Sequence, residues 1–245
     1  KLAAKEIEVA NIKSSFAASV SHELRSPITQ IRLKGESLLF GLAETEEELD
    51  EHYEAIVRES ERLSWLVDNV LDYASIERDS KQYMLRFLDI NDTVQRVIDS
   101  LQVTLTMRDV QISISLAEPL LLRHDPDAVS QCVINLLSNA SKYSDEDKRI
   151  GVTIRRLPNS VDVVITDHGI GIDPEEINRI FEPFYRSREE AARRRKGTGI
   201  GLSITKHIME AHGGMVLVQS RREIGSSFTL RFPSHLIAQE GEQNV

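Results

Sequence analysis

The sequence holds a single cysteine, Cys132, in 245 residues. That excludes an internal disulfide and any metal site built from several thiolates. Cys132 precedes the apolar run Val133, Ile134, Leu136, Leu137 and reads as a small buried residue. Long hydrophobic runs are also missing. No stretch reaches the roughly 18 apolar residues that a membrane helix needs, and no leader of secretory type opens the chain. The chain starts at Lys1 rather than Met, so it is expected to be a piece of something longer, with any membrane-spanning part lying outside it. Low-complexity bias is absent too, since 40% hydrophobic and 28% charged is a globular balance. Basic charge is in deficit: a net charge of −9 argues against nucleic acid as a principal partner. The charge is uneven. Residues 1–80 hold nine Lys/Arg against 17 Asp/Glu, whereas residues 186–196 hold six Lys/Arg against two Glu. A basic loop in an acidic protein suits an anionic small molecule, or simply solvent.

Residues 1–78 read as two long helices. In the second, Tyr53, Ile56, Ser60, Leu63, Val67, Val70 and Ala74 step by threes and fours, a heptad seam. In the first, Ile12, Phe16, Val20, Leu24, Pro27 and Ile31 share one face. Gly41 and the acidic run Glu44 to Asp50 mark the turn between them. A helical hairpin has little of its own to bury such stripes. Pairing two hairpins into a four-helix bundle solves this, which predicts a homodimer. From about residue 85 the pattern becomes mixed. Helices are predicted over Asn91 to Met107, Asp125 to Tyr143 and Gly201 to His212. Strand-like alternation falls at Ile112, Ile114 and Leu116; Val152 and Ile154; Val161, Val163 and Ile165; Val216 and Val218; and Phe228, Leu230 and Phe232. Asp125 and Pro126 have the residue types of an N-cap and a first helical position, and Gly213-Gly214 of a C-cap. This order predicts an α/β sandwich, with helices on one face of a mixed sheet.

Four segments carry chemistry. The run Phe16 to Pro27 sets His22, Glu23 and Ser26 beside a helix-kinking proline. A neutral imidazole there can attack through one nitrogen while Glu23 accepts the proton from the other. Asn135, Asn139 and Lys142 form one helical stripe; amide oxygens suit Mg²⁺, and the lysine suits a phosphate. Asp167 ends a predicted strand and opens the glycine loop with Gly169, Gly171 and Ile172. A carboxylate so placed can accept a hydrogen bond from an adenine amino group. The second loop, Gly197, Thr198, Gly199, Ile200, Gly201 and Leu202, runs into a helix whose free amides favour phosphate. Between the loops, Phe181, Phe184, Tyr185 and Arg186 lead into the basic run ending at Lys196, a candidate nucleotide lid.

In this order the segments resemble the H, N, G1, F and G2 boxes of two-component histidine kinases, over about residues 10 to 233. The resemblance implies the end of a linker helix over 1–13 and a dimerisation and histidine-phosphotransfer domain over 14–80. It further implies a Bergerat-type (GHKL) ATP-binding domain over 81–235; the polar last ten residues, 236–245, read as a flexible tail. His22 is implied to be the phosphoacceptor and Glu23 its acid/base partner. ATP and Mg²⁺ are the implied cofactors. Asn139 is the implied metal ligand, with Asn135 helping; Lys142 and Tyr143 are expected near phosphates and ribose. Asp167 reads adenine, with Gly169, Gly171 and Ile172 shaping its pocket. Gly197, Thr198, Gly199, Gly201 and Leu202 cradle the phosphates, with Phe184, Arg186 and Lys196 completing the nucleotide-binding set. A response-regulator aspartate is the implied acceptor from His22. A cytoplasmic location is implied for this portion, within a bacterial protein that can be membrane-bound.

Two positions depart from the family's pattern. His168 stands where the first glycine box usually has Asn, and a histidine can still donate a hydrogen bond. Ser26 stands where regulator-dephosphorylating relatives usually have Thr or Asn, so a phosphatase activity is expected to be weaker. Two other readings keep the fold. An ATP hydrolase would place a glutamate base where this chain has Asn135. A non-catalytic dimeric scaffold would fail to bind nucleotide.

Overall fold

The computed structural model describes residues 2–78, 80–106, 109–116, 118–144, 147–187 and 197–237, with the side chains of residues 2–19, 22 and 103 excepted. The chain forms two compact units; residues 1–78 group with the short segment 197–198, and the other described residues form the second.

The first unit is a hairpin of α1 (Leu2–Leu39) and α2 (Glu46–Glu77). α2 begins at Glu46, inside the acidic run Glu44 to Asp50 expected to form the turn, because Thr45 and Glu48 cap it there. Thr45 Oγ1 accepts from the amide of Glu48 at 3.1 Å, and Glu48 Oε2 accepts from the amide of Thr45 at 3.4 Å. This reciprocal box satisfies two amides that the first turn leaves open, and Glu46, Glu47 and Glu48 complement the helix dipole. Gly41, at φ 64°, turns the chain between the helices. Among the described side chains the buried positions are Glu23 and Pro27 on α1, and Ala55, Leu66 and Asn69 on α2. The predicted seam of α2 is only partly covered. Ile56, Leu63 and Val70 are half-buried, while Tyr53 and Val67 remain 56% and 40% exposed. A two-helix hairpin covers one side of each helix, so a stripe wider than that contact stays in water.

The second unit is an α/β sandwich. Its elements are β1 (Arg86–Asp89), α3 (Ile90–Thr106), β2 (Gln111–Ser115), β3 (Leu121–His124), α4 (Pro126–Tyr143), β4 (Arg149–Leu157), β5 (Ser160–Asp167), α5 (Gly201–Ala211), β6 (Met215–Arg221) and β7 (Gly225–Pro233). The main sheet runs β2-β4-β5-β7-β6, with β2 parallel to β4 and the other neighbours antiparallel. α4 packs on β4 and β5, α5 on β6 and β7, and α3 on α4. The core between the layers contains Val133, Leu136, Leu137, Val152, Val161, Val163, Ile204, Ile208, Leu230 and Phe232. Asp125 caps α4 by accepting from the amides of Asp127 and Ala128, with Pro126 in the first turn. α5 ends on Gly213, whose amide donates to the carbonyl of Glu210, while that of Gly214 donates to the carbonyl of Met209. Leu116 lies just beyond β2. The small ribbon of β1 and β3 was not anticipated, because each strand has only four residues and too little alternation to register.

Candidate active site

Asp167 ends β5 and is the fixed point of the site. Its Oδ1 accepts from the amide of Gly169 at 2.9 Å and from that of Ser226, on β7, at 3.2 Å. No described residue engages Oδ2. Burial pushes the Asp167 carboxyl above its ordinary value, opposed by those two amides and by the nearby His168. A buried carboxylate with one spare oxygen is a strong, directional acceptor for an amino group on a flat ligand.

The first glycine loop is wedged in place by backbone on both sides. The amide of Ile170 donates to the carbonyl of Tyr143, the last residue of α4, at 3.2 Å. A Cβ at Gly169 would collide with that same carbonyl. On the other side, the amide of Glu223 donates to the carbonyl of Ile170 at 2.8 Å, and that of Ile172 donates to Ser220 Oγ at 2.9 Å. Gly171, at φ 69°, passes against the carbonyl of Arg221, where no side chain fits. His168 is exposed, and its Nδ1 donates to the carbonyl of Arg149 at 3.2 Å, tying the loop to β4.

α4 brings Asn135, Asn139, Lys142 and Tyr143 along one side, but their surroundings differ. Asn135 is 2% exposed. Its Nδ2 donates to the carbonyl of Gly201 at 3.2 Å and to Thr205 Oγ1 at 3.4 Å, both on α5. Its Oδ1 is buried without a hydrogen-bond partner among the described residues. Asn139 is half-buried, and no described residue engages its amide. The Lys142 ammonium lies 4.6 Å from the centroid of the Tyr143 ring. No group of three or more His, Cys, Asp or Glu among the described residues could hold a metal by itself. Two free amide oxygens fit a Mg²⁺ ion that brings waters and phosphate oxygens with it, and would not suffice for a site made of protein alone.

α5 opens without a side-chain cap, because the buried Ile200 occupies the N-cap position. The amides of its first turn therefore remain available to an anion. Gly197 and Thr198 lead into it, and Leu202 is half-buried in that turn. Gly199, at φ 73°, accepts through its carbonyl from the amide of Phe184 at 2.9 Å, and Phe184 itself stands at φ 67°. The aromatic segment and the second glycine loop are thereby joined backbone to backbone. Arg186 is exposed, and the Arg179 guanidinium stacks 4.4 Å from the centroid of the Tyr185 ring. Lys196, with Arg188 and Arg193 to Arg195 of the basic run, lies outside the described residues.

In the first unit His22 lies within α1, its side chain outside the described set. Glu23 is buried and ion-paired to Arg62 at 3.2 Å, and Ser26 is half-buried one turn on. The residues that sequence reasoning missed belong to the β6–β7 turn. Ser226 supplies an amide to Asp167, and Ser220 Oγ takes the amide of Ile172 and bonds Ser226 Oγ at 2.9 Å. The Gly225-Ser-Ser cluster opening β7 was the available signal, since small polar residues behind a turn mark close backbone approach.

Two family models match the chain in order. Residues 12–79 match the His Kinase A (phospho-acceptor) domain, and residues 124–236 match the histidine kinase-, DNA gyrase B- and HSP90-like ATPase. The chain is 33% identical over 237 residues to the sensor protein kinase WalK of Staphylococcus aureus. The chain belongs to the sensor histidine kinases. The match to WalK covers 94% of this chain and 56% of that relative, and 38% of a longer WalK from another strain, so the chain spans about half the length of such relatives or less. The histidine kinase ThkA, solved in complex with the response regulator protein TrrA, is 27% identical with a TM-score of 0.60, over 94% of this chain and 64% of that one. The Acinetobacter baumannii histidine kinase AdeS, at 22% identity, shares the fold with a TM-score of 0.62 over 86% of this chain and 97% of its own.

Proposed function

We propose that this histidine-kinase chain transfers the γ-phosphoryl group of ATP to His22 and then passes it to an aspartate of a response regulator. The observation that carries the reading is Asp167, buried at a strand end with Oδ2 free, at the head of the first glycine loop. Its Oδ2 accepts from the adenine amino group, while Gly169, Gly171 and Ile172 shape the slot. Lys142, Tyr143, Gly197, Thr198, Gly199, Gly201 and Leu202 meet ribose and phosphates, helped by Phe184, Arg186 and Lys196. Asn139 and Asn135 would hold Mg²⁺ through their amide oxygens. When bound, the ion neutralises charge on the phosphate oxygens. In the transfer, a nitrogen of His22 forms a bond to the γ-phosphorus as the bond to the β–γ bridging oxygen breaks, and ADP leaves. Glu23 takes the proton from the other ring nitrogen. Ser26 stands where a hydroxyl can orient water, so the reading includes a phosphatase activity on the regulator.

A homodimer completes the first unit. Tyr53, Val57, Val67 and Leu71 are 56%, 56%, 40% and 58% exposed along one side of α2, and a second copy would cover them. ThkA is seen with its regulator, and we assign this chain a regulator partner of the same class. No helix among the described residues is long and apolar enough to cross a membrane. Incubation with γ-labelled ATP tests the reading. It should give an acid-labile, alkali-stable label on the chain and none on His22→Ala. Strong label on His22→Ala refutes it.

A further inference from the structure

Glu23 is one of two buried polar side chains described in the α1–α2 hairpin, at 6% exposure. Its Oε2 accepts from Arg62 Nη2 at 3.2 Å, from α2 across the hairpin. The other arm of the same guanidinium, Nη1, donates to Glu59 Oε2 at 3.4 Å, one turn back on α2. One planar fork thus reaches a carboxylate on each helix. No described residue engages Glu23 Oε1. A carboxylate removed from water in this way stays put only while its partner does, because without the partner it is left buried and unpaired. A group that takes the proton from a neighbouring imidazole at every turnover must present the same lone pairs each time. Arg62 supplies that constancy by holding one oxygen and leaving the other open. Lysine offers a point charge in place of the fork and would hold the carboxylate less firmly.

We propose that Arg62 is a positioning residue for phosphorylation of His22, acting through Glu23 and itself braced by Glu59. The inference rests on the assignment of Glu23 as the proton acceptor. The test uses the full chain and initial rates of phosphohistidine formation from γ-labelled ATP. Arg62→Gln should slow the rate at saturating ATP by about tenfold or more while the KM for ATP stays within about twofold, the pattern of a lost orientation step. Arg62→Lys should recover part of that loss. Glu23→Gln combined with Arg62→Gln should be no slower than Glu23→Gln alone, since both act through one group. A wild-type rate for Arg62→Gln overturns the proposal, and so does a double variant slowed by the product of the two single effects. If Arg62→Gln unfolds the hairpin, Glu59→Gln carries the test: a measurable fall in rate supports the proposal and a wild-type rate overturns it. Absence of any phosphohistidine on the unaltered chain would sink the kinase reading itself, whereas indifference to Arg62 and Glu59 in an active chain sinks only this inference.

Discussion

Asn135 on α4 donates through Nδ2 to the carbonyl of Gly201, the first residue of α5, at 3.2 Å. The bond fastens the helix bearing the amide stripe to the helix whose N-terminus has no side-chain cap. A Cβ at Gly201 would stand 3.3 Å from Asn135 Oδ1, so the two helices approach closely at this point. Asn135 therefore ties α4 to α5 through Nδ2 besides offering its Oδ1 to the metal, whereas the amide of Asn139 has no such structural bond.

Asn135→Ala should lower the stability of the second unit by about 1–3 kcal/mol, because a buried bond to α5 is lost. Asn139→Ala should leave the unfolding midpoint nearly unchanged, since no described residue engages its amide. It should instead remove the Mg²⁺-dependent part of nucleotide binding. Thermal unfolding, paired with nucleotide titrations with and without Mg²⁺, separates the two. Equal destabilisation by both variants would contradict the division.

Asp167→Asn should weaken ATP binding by about tenfold or more, through loss of the carboxylate acceptor. It should not destabilise the fold by a comparable amount. Burial already disfavours the charged Asp167, and an amide oxygen can still accept from the amides of Gly169 and Ser226. Calorimetric titration with a non-hydrolysable ATP analogue and a melting curve on the same protein check both halves.

Gly225 and Gly213 give a paired test of backbone crowding. Both have positive φ, 130° and 69°. A Cβ at Gly213 meets nothing within 4 Å, whereas one at Gly225 collides with the carbonyl oxygen of Asp167. Gly213→Ala should therefore cost about 1 kcal/mol from conformation alone. Gly225→Ala should displace Asp167 and reduce nucleotide affinity as well as stability. Similar affinities for the two variants would show that the β6–β7 turn does not set the position of Asp167.

The parts of this molecule that local pattern controls were legible in the sequence. The caps of α4 and α5, the alternation in β4, β5 and β7, and Asp167 at a strand end follow from residues close in the chain, whereas the Thr45–Glu48 box that starts α2 was taken for part of the turn. The cluster Gly225-Ser-Ser could mark a close backbone approach but not show that it clamps Asp167, because that depends on β7 pairing beside β5. Nor could the sequence show that Asn135 would be turned toward α5 while Asn139, one helical turn on, stays open. Periodicity places both on one stripe and cannot say what packs against each end of it. Glu23 was legible as the neighbour of His22 but not as the partner of Arg62, since the register of two helices in a hairpin is set by packing.

His212 donates through Nδ1 to the carbonyl of Ile208 at 2.7 Å, and its Nε2 accepts from the amide of Asp125 at 3.0 Å. His124 donates through Nδ1 to the carbonyl of Leu122 at 2.7 Å, and its Nε2 lies 2.9 Å from the Thr93 hydroxyl, which can donate to it. Neither ring can take a second proton without giving up its acceptor bond. Burial holds both imidazoles below the ordinary value of 6.5, opposed by the carbonyls of Leu122 and Ile208 and by Asp125. The unfolded chain therefore binds these protons first as pH falls, and the native state resists them. The contribution to stability is complete above the unfolded value and is lost as pH drops through about 6.5 toward the folded values, at up to about 1.4 kcal/mol per pH unit for each ring. Asp125 acts in a separate window: although partly buried, it is held below 3.8 by the amides of Ala128, Met84 and Asp127, so its share is lost only in stronger acid. Hydrogen-exchange protection of the α4 amides should thus fall between about pH 7 and pH 5 in the natural chain. In His124→Gln combined with His212→Gln the same protection should be lower at pH 7 but nearly flat across that interval. An unchanged slope in the double variant would place the acid sensitivity elsewhere.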